Sequence, residues 1–336
     1  MSLRQFLKKH AQITTKHGPL TAAQMASQEI GLRLCEPLAK LYSTPIWASD
    51  FDVCLVLDAC RYDLWRETIG LNRQIDDYRH PDFYTTLGRH TSSRWSVGSA
   101  SLHWINETFA DRYKSDWSGA GYVTANPFSA KEPGDLNQLH DSVYPLEDRG
   151  LGYLDEVWQD SWPMSKDMPT VDPKTLTNRA MHAYQIHDGP IVVHYMQPHV
   201  PFKTNPEWFG DWGGKEHFGE PVDDADKDVW LKVRDNEIPE GELWRAYRDN
   251  LEWVLKEVER WYEQTDAKLL VTSDHGNAKG EYGQYSHPPY SANPYLRKVP
   301  WVELDGVGDN TNLTVDVPPE TTDSNVDEQL RALGYR

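Results

Sequence analysis

The chain has 336 residues, with 34 Lys and Arg against 52 Asp and Glu, so its formal net charge is −18. This acidity disfavours nucleic-acid binding, which needs clustered basic side chains to displace the counterions of phosphate groups. A helix that crosses a bilayer needs about 18 or more consecutive apolar residues, and because no such run occurs we expect no transmembrane segment.

The composition also bears on the cell compartment. The 14 Trp, 17 Tyr and 8 Phe can supply a large buried core, which excludes disorder over the whole length. Acidity combined with such a core is typical of a protein that works in high salt, as in a halophilic archaeon, and an ordinary acidic cytosolic enzyme is the alternative. The three cysteines form no CxxC pair, so we predict no disulfide framework and a cytoplasmic location.

The first 48 residues are predicted to form a helical extension. They lack the apolar stretch and cleavage site of a secretory signal. Within residues 22–41, apolar side chains recur among polar ones, which predicts an amphipathic helix: Met25, Ile30, Leu32, Leu34 and Leu38. Packing against the main body is the favoured role for this face, and a peripheral position on a membrane is the alternative.

Three short apolar runs, at residues 51–57, 191–196 and 268–272, predict central strands. Helical patterns at 62–69 and 242–265 lie between them along the chain. Alternating strands and helices indicate an α/β fold with a mostly parallel central sheet and helices on both faces. Ligands of such folds gather at the carboxyl ends of the strands.

The main domain is predicted to span residues 49–310. Two stretches within it, at about 126–168 and 202–239, are rich in Pro, Gly, Asp and Trp and show little periodicity. Such stretches are typical of insertions or lid-like excursions over a sheet. Residues 311–336 are predicted to form a polar tail that packs on the domain.

The strongest local motif is Ser273-Asp274-His275-Gly276, directly after the third predicted strand. A carboxylate beside an imidazole offers two metal ligands, and the glycine permits a tight turn. A structural turn capped by Asp274 is the alternative. Asp58 ends the first predicted strand, where it either binds a metal or caps the helix that follows.

Downstream lie His287, in the segment GQYSHP, and the segment LRKVPW, which begins at Leu296. Together with the strand that ends at Asp58 and the SDHG motif, these elements resemble the alkaline phosphatase/sulfatase superfamily over about residues 50–110 and 190–304. The resemblance implies an alkaline-phosphatase-like three-layer sandwich, here with Trp- and Pro-rich insertions, that acts on phosphate or sulfate esters.

The resemblance also implies a metal site. Asp58, Asp274 and His275 would bind one divalent cation, either Zn, Mn, Mg or Ca. His287 would bind a second metal or contact the leaving group. His199, in the segment HYMQPHVPF, is similar to a histidine that contacts the transferred anion or assists a second metal in sulfatases and lipoteichoic acid synthases.

The number of ions stays open, because Gln197 stands where two-metal members of the superfamily carry an aspartate. Gln197 and Arg61 are candidate substrate contacts. A structural ion pair with Asp63 is the alternative for Arg61. His194 lies inside a predicted strand and is interpreted as a buried core histidine.

A hydroxyl nucleophile at the start of a helix is a further implication of the resemblance. Ser99 and Ser101 both precede the helical sequence LHWINETF. Ser99, followed by His103-Trp104, is similar to the nucleophile segment of phosphopentomutases and is slightly favoured. Ser101 is the alternative nucleophile, and one of the two serines is expected only to cap the helix.

No cysteine has the C-x-P-S-R context of the sulfatase nucleophile, so phosphate is favoured over sulfate. The sequence therefore predicts a metal-dependent hydrolase (EC 3.1) or transferase that forms a covalent seryl intermediate. Its expected substrate is a small-molecule or glycan phosphate ester, such as a glycerol phosphate. A catalytically inactive scaffold in cell-surface glycan assembly is the alternative, and the oligomeric state is not predicted.

Overall fold

The computed structural model describes residues 7, 10–11, 13–15, 18–72, 81–129, 150–161, 170–209, 228–311 and 313. Within these ranges the strands are β1 (Val53–Leu57), β2 (Thr91–Trp95), β3 (Gly121–Thr124), β4 (Tyr153–Glu156), β5 (Ile191–Tyr195), β6 (Lys268–Thr272), β7 (Ala278–Lys279), β8 (Tyr285–Ser286) and β9 (Lys298–Asp305). Seven of them form one sheet in the order β2-β9-β6-β1-β5-β3-β4. β9 is antiparallel to both of its neighbours, and the other adjacent pairs are parallel.

The α-helices of the described residues are α1 (Pro19–Leu34), α2 (Glu36–Leu41), α3 (Tyr62–Asn72), α4 (Pro81–His90), α5 (Ser101–Thr108), α6 (Lys114–Trp117), α7 (Trp158–Ser161), α8 (Pro173–Ile186), α9 (Val229–Arg234), α10 (Glu240–Gln264) and α11 (Pro294–Arg297). None of these helices has the length and apolar character that crossing a membrane requires.

Alternate side chains of β1 enter two different apolar cores. Leu55 and Leu57 pack in a core that includes α3, α8 and α10. Val56 points to the opposite face and packs in a second core with Trp104 and Ile105 of α5. Because strand side chains alternate between the faces of a sheet, helices must cover both faces. The predicted α/β fold with a mostly parallel central sheet is therefore confirmed.

The three strands predicted from apolar runs are observed as β1, β5 and β6, and the long helical pattern is observed as α10. The predicted insertion at 126–168 contains β4, which pairs with β3 and forms one edge of the sheet. This part of the insertion belongs to the sheet rather than lying over it. Residues 130–149, 162–169 and 210–227 and most of the tail lie outside the described residues, and the domain boundaries stay predictions.

The N-terminal segment differs from its prediction. Residues 22–41 form parts of two helices, α1 and α2, joined at Cys35. The residues of these helices that are buried include Ala22 and Ala39, whereas Ile30, Leu34 and Leu38 are exposed. Met25 and Leu32 are half-buried, so part of the predicted apolar face packs on the body and the other part faces outward.

The register of the sheet brings three strand ends to one level. Leu57 of β1 pairs with Tyr195 of β5, and Val56 pairs with Thr272 of β6. The residues that follow β1 and β6 must therefore meet at the same edge of the sheet, although more than 200 positions separate them along the chain.

Gly98 lies in the turn before α5, where a Cβ atom would come within 2.5 Å of the Trp104 backbone. We predict that Gly98→Ala lowers the free energy of unfolding by about 1–3 kcal/mol or more, because α5 must shift to make room. Gly70→Ala in α3 is the matched control, because its Cβ would meet nothing within 4 Å. It should leave stability unchanged or raise it by up to about 1 kcal/mol. Urea unfolding measures both variants, and equal stabilities would contradict the close approach at Gly98.

Candidate active site

Two carboxylates and an imidazole converge at the carboxyl edge of the sheet. Asp58 follows β1, and Asp274 and His275 follow β6. One ligand atom from each of the three residues lies within 4.8 Å of the other two. The His275 Nε2 atom is 3.2 Å from Asp274 Oδ2 and 3.8 Å from Asp58 Oδ1, and all three side chains are buried. These residues form the acidic cluster.

Hydrogen bonds from the surrounding chain fix both carboxylates. The backbone N–H groups of Ala59 and His275 donate to Asp274 Oδ1, at 2.9 and 2.8 Å. The Asn126 side-chain amide donates to Asp58 Oδ2 at 2.7 Å. The remaining oxygens, Asp58 Oδ1 and Asp274 Oδ2, are buried without a hydrogen-bond partner. Each carboxylate is thus held by one oxygen and leaves the other available to a ligand.

The tautomer of His275 follows from its neighbour. Its Nδ1 atom lies 2.9 Å from the carbonyl oxygen of Gly276, which can only accept a hydrogen bond. In the neutral ring Nδ1 therefore carries the proton, and Nε2 presents its lone pair to the acidic cluster. Burial also lowers the pKa of His275, which favours this neutral form.

The two carboxylates differ in their proton affinity. Burial raises the pKa of Asp58 well above its ordinary value, and the charge of Asp274 raises it further. Burial also acts to raise the pKa of Asp274, but positive charge on His275 and His194 would outweigh it and hold that pKa below its usual range. The two carboxylates are thus stabilised when they share one proton or bind another cation.

His194, near the end of β5, is a member of the site that sequence analysis did not identify. It is buried, as predicted for a core histidine, but its Nε2 atom lies 3.6 Å from Asp58 Oδ2 and 3.6 Å from Asp274 Oδ2. That Nε2 atom has no hydrogen-bond partner, whereas Nδ1 lies 2.7 Å from the Tyr122 hydroxyl. The position of His194 near the end of a predicted strand could have indicated a role in the site. The sequence does not show, however, that this strand lies next to β1.

These groups fit a divalent cation. Asp58 Oδ1 and Asp274 Oδ2 are buried oxygens without a hydrogen-bond partner, and the similarly unpartnered Nε2 atom of His194 lies 3.6 Å from each carboxylate. Carboxylate oxygens and neutral imidazole nitrogens are ligands that Zn²⁺ and other divalent cations accept. Asp58, Asp274 and His275 are the residues that would hold the ion, with His194 as an additional candidate ligand.

The structure separates the two candidate nucleophiles. Ser101, the first residue of α5, places its Oγ atom 3.2 Å from Asp58 Oδ2 and 3.1 Å from His275 Nε2. The Ser99 hydroxyl instead donates to the Pro288 carbonyl at 3.0 Å and accepts from the Ser291 N–H at 3.1 Å. The structure therefore brings Ser101 to the acidic cluster and does not bring Ser99 there, contrary to the preference drawn from sequence similarity.

Two further predicted residues lie beside the acidic cluster. The His287 ring stacks on the His275 ring at 4.6 Å between centroids, and its Nδ1 atom is 2.6 Å from Asn277 Oδ1. The His199 ring meets the His287 ring edge-on at 5.0 Å, and its Nδ1 atom lies 2.9 Å from the Val200 carbonyl oxygen. His275, His287 and His199 therefore form a continuous row of imidazoles.

Arg61 has the structural role that sequence analysis held as an alternative to substrate binding. Its guanidinium forms two hydrogen bonds with Asp63, at 2.9 and 2.6 Å, and an ion pair with Glu281 at 2.8 Å. It is buried and lies over the rings of Trp244 and Tyr295. These contacts engage the charge of Arg61 inside the protein, so they give no support to a substrate contact.

Gln197 is likewise engaged within the protein. Its side-chain amide nitrogen donates to Thr170 Oγ1 at 3.2 Å and to the Val171 carbonyl at 3.1 Å. These bonds tie the segment after β5 to the segment before α8. A substrate contact by Gln197 stays a prediction from the sequence.

No protein-family model and no curated protein matches the chain. Among solved structures, the chain is similar to the soluble domain of lipooligosaccharide phosphoethanolamine transferase A from Neisseria meningitidis, at 16% identity and a TM-score of 0.44, over 76% of each chain. It is also similar to the C-terminal periplasmic domain of phosphoethanolamine transferase EptC from Campylobacter jejuni, at 17% identity and a TM-score of 0.36, over 76% of this chain and 78% of that chain.

The site itself agrees with the resemblance to the alkaline phosphatase/sulfatase superfamily. The aspartate that follows the first strand, the SDHG motif and a serine at a helix N-terminus come together at one edge of a mostly parallel sheet. The fold and the convergence of these residues therefore agree with the resemblance, and the roles that it implies for them stay predictions.

We predict that Asp274→Asn weakens divalent-cation binding by more than the roughly 10–100-fold that loss of an outer-shell partner costs. The asparagine oxygen can still accept the two backbone hydrogen bonds, and one negative charge is removed. The thermal midpoint without cation should therefore be kept or raised, whereas its increase on adding Zn²⁺ or Mn²⁺ should vanish. Calorimetric titration and thermal melts measure this, with Asp116→Asn, an exposed aspartate, as control. Unchanged cation binding by the Asp274 variant would rule out the metal site.

Tyr122→Phe removes the hydroxyl that contacts His194 Nδ1. If that contact orients His194 towards a cation, we expect cation affinity to fall by roughly 10–100-fold. Tyr195→Phe is the matched control, since its buried hydroxyl contacts Thr177 and Trp261 in the core on the opposite face of the sheet. Both variants should lose stability, but only Tyr122→Phe should lose affinity in calorimetric titration. Equal cation affinities in the two variants would indicate that His194 is only a buried core histidine.

Proposed function

We propose that this chain hydrolyses or transfers phosphate esters, with Ser101 as the nucleophile and a divalent cation held by Asp58, Asp274 and His275. The observation that supports this most is the position of Ser101 Oγ, within 3.2 Å of Asp58 Oδ2 and 3.1 Å of His275 Nε2. A serine used only for capping would instead direct its hydroxyl at a backbone N–H group of the helix, not at two buried candidate metal ligands.

Each residue has a role in this reaction. The Ser101 hydroxyl gives its proton to water and attacks phosphorus in line, so that a phosphoseryl bond forms as the bond to the leaving oxygen breaks. When bound, the cation lowers the pKa of that hydroxyl and offsets the negative charge that develops on the phosphoryl oxygens. Water or an acceptor alcohol then attacks the phosphoserine and releases Ser101.

His199 and His287 are proposed to act on the substrate. Their rings continue the row of imidazoles that begins at His275 in the acidic cluster. An imidazole there can contact the transferred anion or supply the proton that the leaving oxygen needs. Both roles fit the expectations drawn from the sequence, and His287 remains the candidate ligand of a second ion.

Phosphate is favoured over sulfate by the surroundings of Cys60. The thiol is buried, and burial raises its pKa well above the ordinary value, with further contributions from Asp63 and Asp274. Such a thiol is a poor nucleophile, and no cysteine occupies the position of Ser101. A glycan or glycerol-phosphate ester as substrate, hydrolysis rather than transfer, and a cytoplasmic location in a salt-adapted organism stay proposals based on composition and resemblance.

We predict that Ser101→Ala lowers the turnover of an aryl phosphodiester by roughly 10³-fold or more, as expected for a nucleophile. Ser99→Ala is the matched control, because it removes a buried hydroxyl two residues away that contacts the Pro288 segment. It should retain most activity, within about tenfold, since it acts only through positioning. Cation binding by both variants is measured in parallel. Full activity of Ser101→Ala with the cation bound would refute the nucleophile assignment, and loss only in Ser99→Ala would reverse it.

A further inference from the structure

The outward face of α1 and α2 carries a row of large apolar side chains, here called the outer stripe. Its members are Leu20, Ile30, Leu34, Leu38 and Leu41, with exposed fractions of 87%, 48%, 75%, 57% and 78%. From Ile30 onward they recur every three or four residues, which places them on one side of a helix. Cys35, between the two helices, has helical backbone angles, so the face continues across the junction. Exposed apolar rows of this kind mark an interaction surface.

Acidic side chains of the two helices are turned away from the outer stripe. Glu29 is buried and contacts His10 at 3.3 Å and Arg33 at 3.4 Å. Glu36 forms an ion pair with the buried Arg297 at 3.1 Å. Neither of the two carboxylates in these helices therefore lies on the same face as the outer stripe.

Charge separates this part of the chain from the rest. Residues 1–42 contain six Lys and Arg and two Asp and Glu, a formal charge of +4. Residues 43–336 contain twenty-eight Lys and Arg and fifty Asp and Glu, a formal charge of −22. The helices of the outer stripe themselves carry two basic and two acidic residues, so the excess positive charge belongs to residues 1–18, which precede them in the chain. A basic flanking sequence next to an apolar face is attracted to an anionic surface, whereas the acidic remainder is repelled from it. Two copies of the basic segment would instead repel each other, so this charge pattern argues against self-association through the stripe.

We infer that the outer stripe docks this protein on an anionic lipid surface. The leucines would enter the boundary between head groups and acyl chains, as in amphipathic helices that lie in the plane of a membrane. Tyr42, which follows α2 and is 76% exposed, has the amphipathic ring that favours this depth. The acidic body would face the water, because its charge is repelled by the anionic head groups.

Docking through this face would also set the position of the candidate active site. The Ala292 N–H donates to the Leu32 carbonyl at 3.2 Å, and Arg297 holds Glu36. The helices of the outer stripe thus pack directly on the segment that carries His287. The docking proposal does not depend on the reaction proposed for that site.

The test is flotation of the full chain with vesicles, at the lowest salt at which circular dichroism shows it folded. Vesicles of phosphatidylcholine with phosphatidylglycerol are compared with vesicles of phosphatidylcholine alone. The double variant Leu34→Asp/Leu38→Asp changes two exposed positions and should keep the fold. Ile186→Asp is the matched control, since Ile186 is 59% exposed at the end of α8, outside the outer stripe.

We expect the chain and its Ile186 variant to float with the anionic vesicles, and the double variant to bind at least tenfold more weakly. Neutral vesicles should bind the chain more weakly than anionic ones. Absence of binding to either vesicle, or equal binding by the double variant, would overturn the proposal. A dimer in light scattering that only the double variant abolishes, without vesicle binding, would assign the stripe to a second copy instead.

Discussion

The repulsion between two buried carboxylates is the constraint on which the site depends. Asp58 and Asp274 present oxygens within 4.8 Å of each other, with almost no access to water. Two like charges about 4 Å apart repel by about 1 kcal/mol in water and about 4 kcal/mol at the effective dielectric of a protein. A fold that keeps both carboxylates there needs a compensating positive charge. A proton on Asp58 supplies one, and a divalent cation would supply it without protonation.

The sheet explains how this repulsive pair is held in place. β1 lies between β5 and β6, so the residues at its end receive neighbours from both sides. His194 comes from β5 and Asp274 from the turn after β6. The bond from the Ala59 N–H to Asp274 joins the two turns directly. Ser101 arrives from a different layer, since the close approach of Gly98 to Trp104 fixes where α5 begins.

Much of the central sheet was predictable because buried parallel strands are apolar throughout. The sequences of β1, β5 and β6 show this pattern, and the ligands that follow β1 and β6 could be predicted with them. The edge strands β2 and β4 were not predicted, since TSSRW and YLDE lack an apolar run and take their conformation from pairing. The local hydrophobic pattern predicts a strand reliably only where both faces of that strand are buried.

The remaining misassignments involve contacts between distant segments. Choosing Ser101 over Ser99 requires the orientation of α5 relative to Asp58. The local motif, which contains both serines, does not contain this information. The part played by His194 depends on β5 lying next to β1, which is a matter of strand order. The apolar residues predicted to form one face of α1 and α2 include exposed Leu34 and Leu38 as well as half-buried Leu32, so periodicity located apolar positions but not the side of the helix that meets the body.

The hydrogen bond between Ala59 and Asp274 spans 215 positions of the chain. At synthesis rates of roughly 5–20 residues per second, about 10–40 seconds separate the emergence of these two residues from the ribosome. Asp58 is therefore synthesised long before the other candidate ligands, and the cation site is incomplete until β6 has joined the sheet. Metal loading would accordingly report that synthesis has passed His275 and that β6 has joined the sheet, and chains truncated before β6 would remain empty.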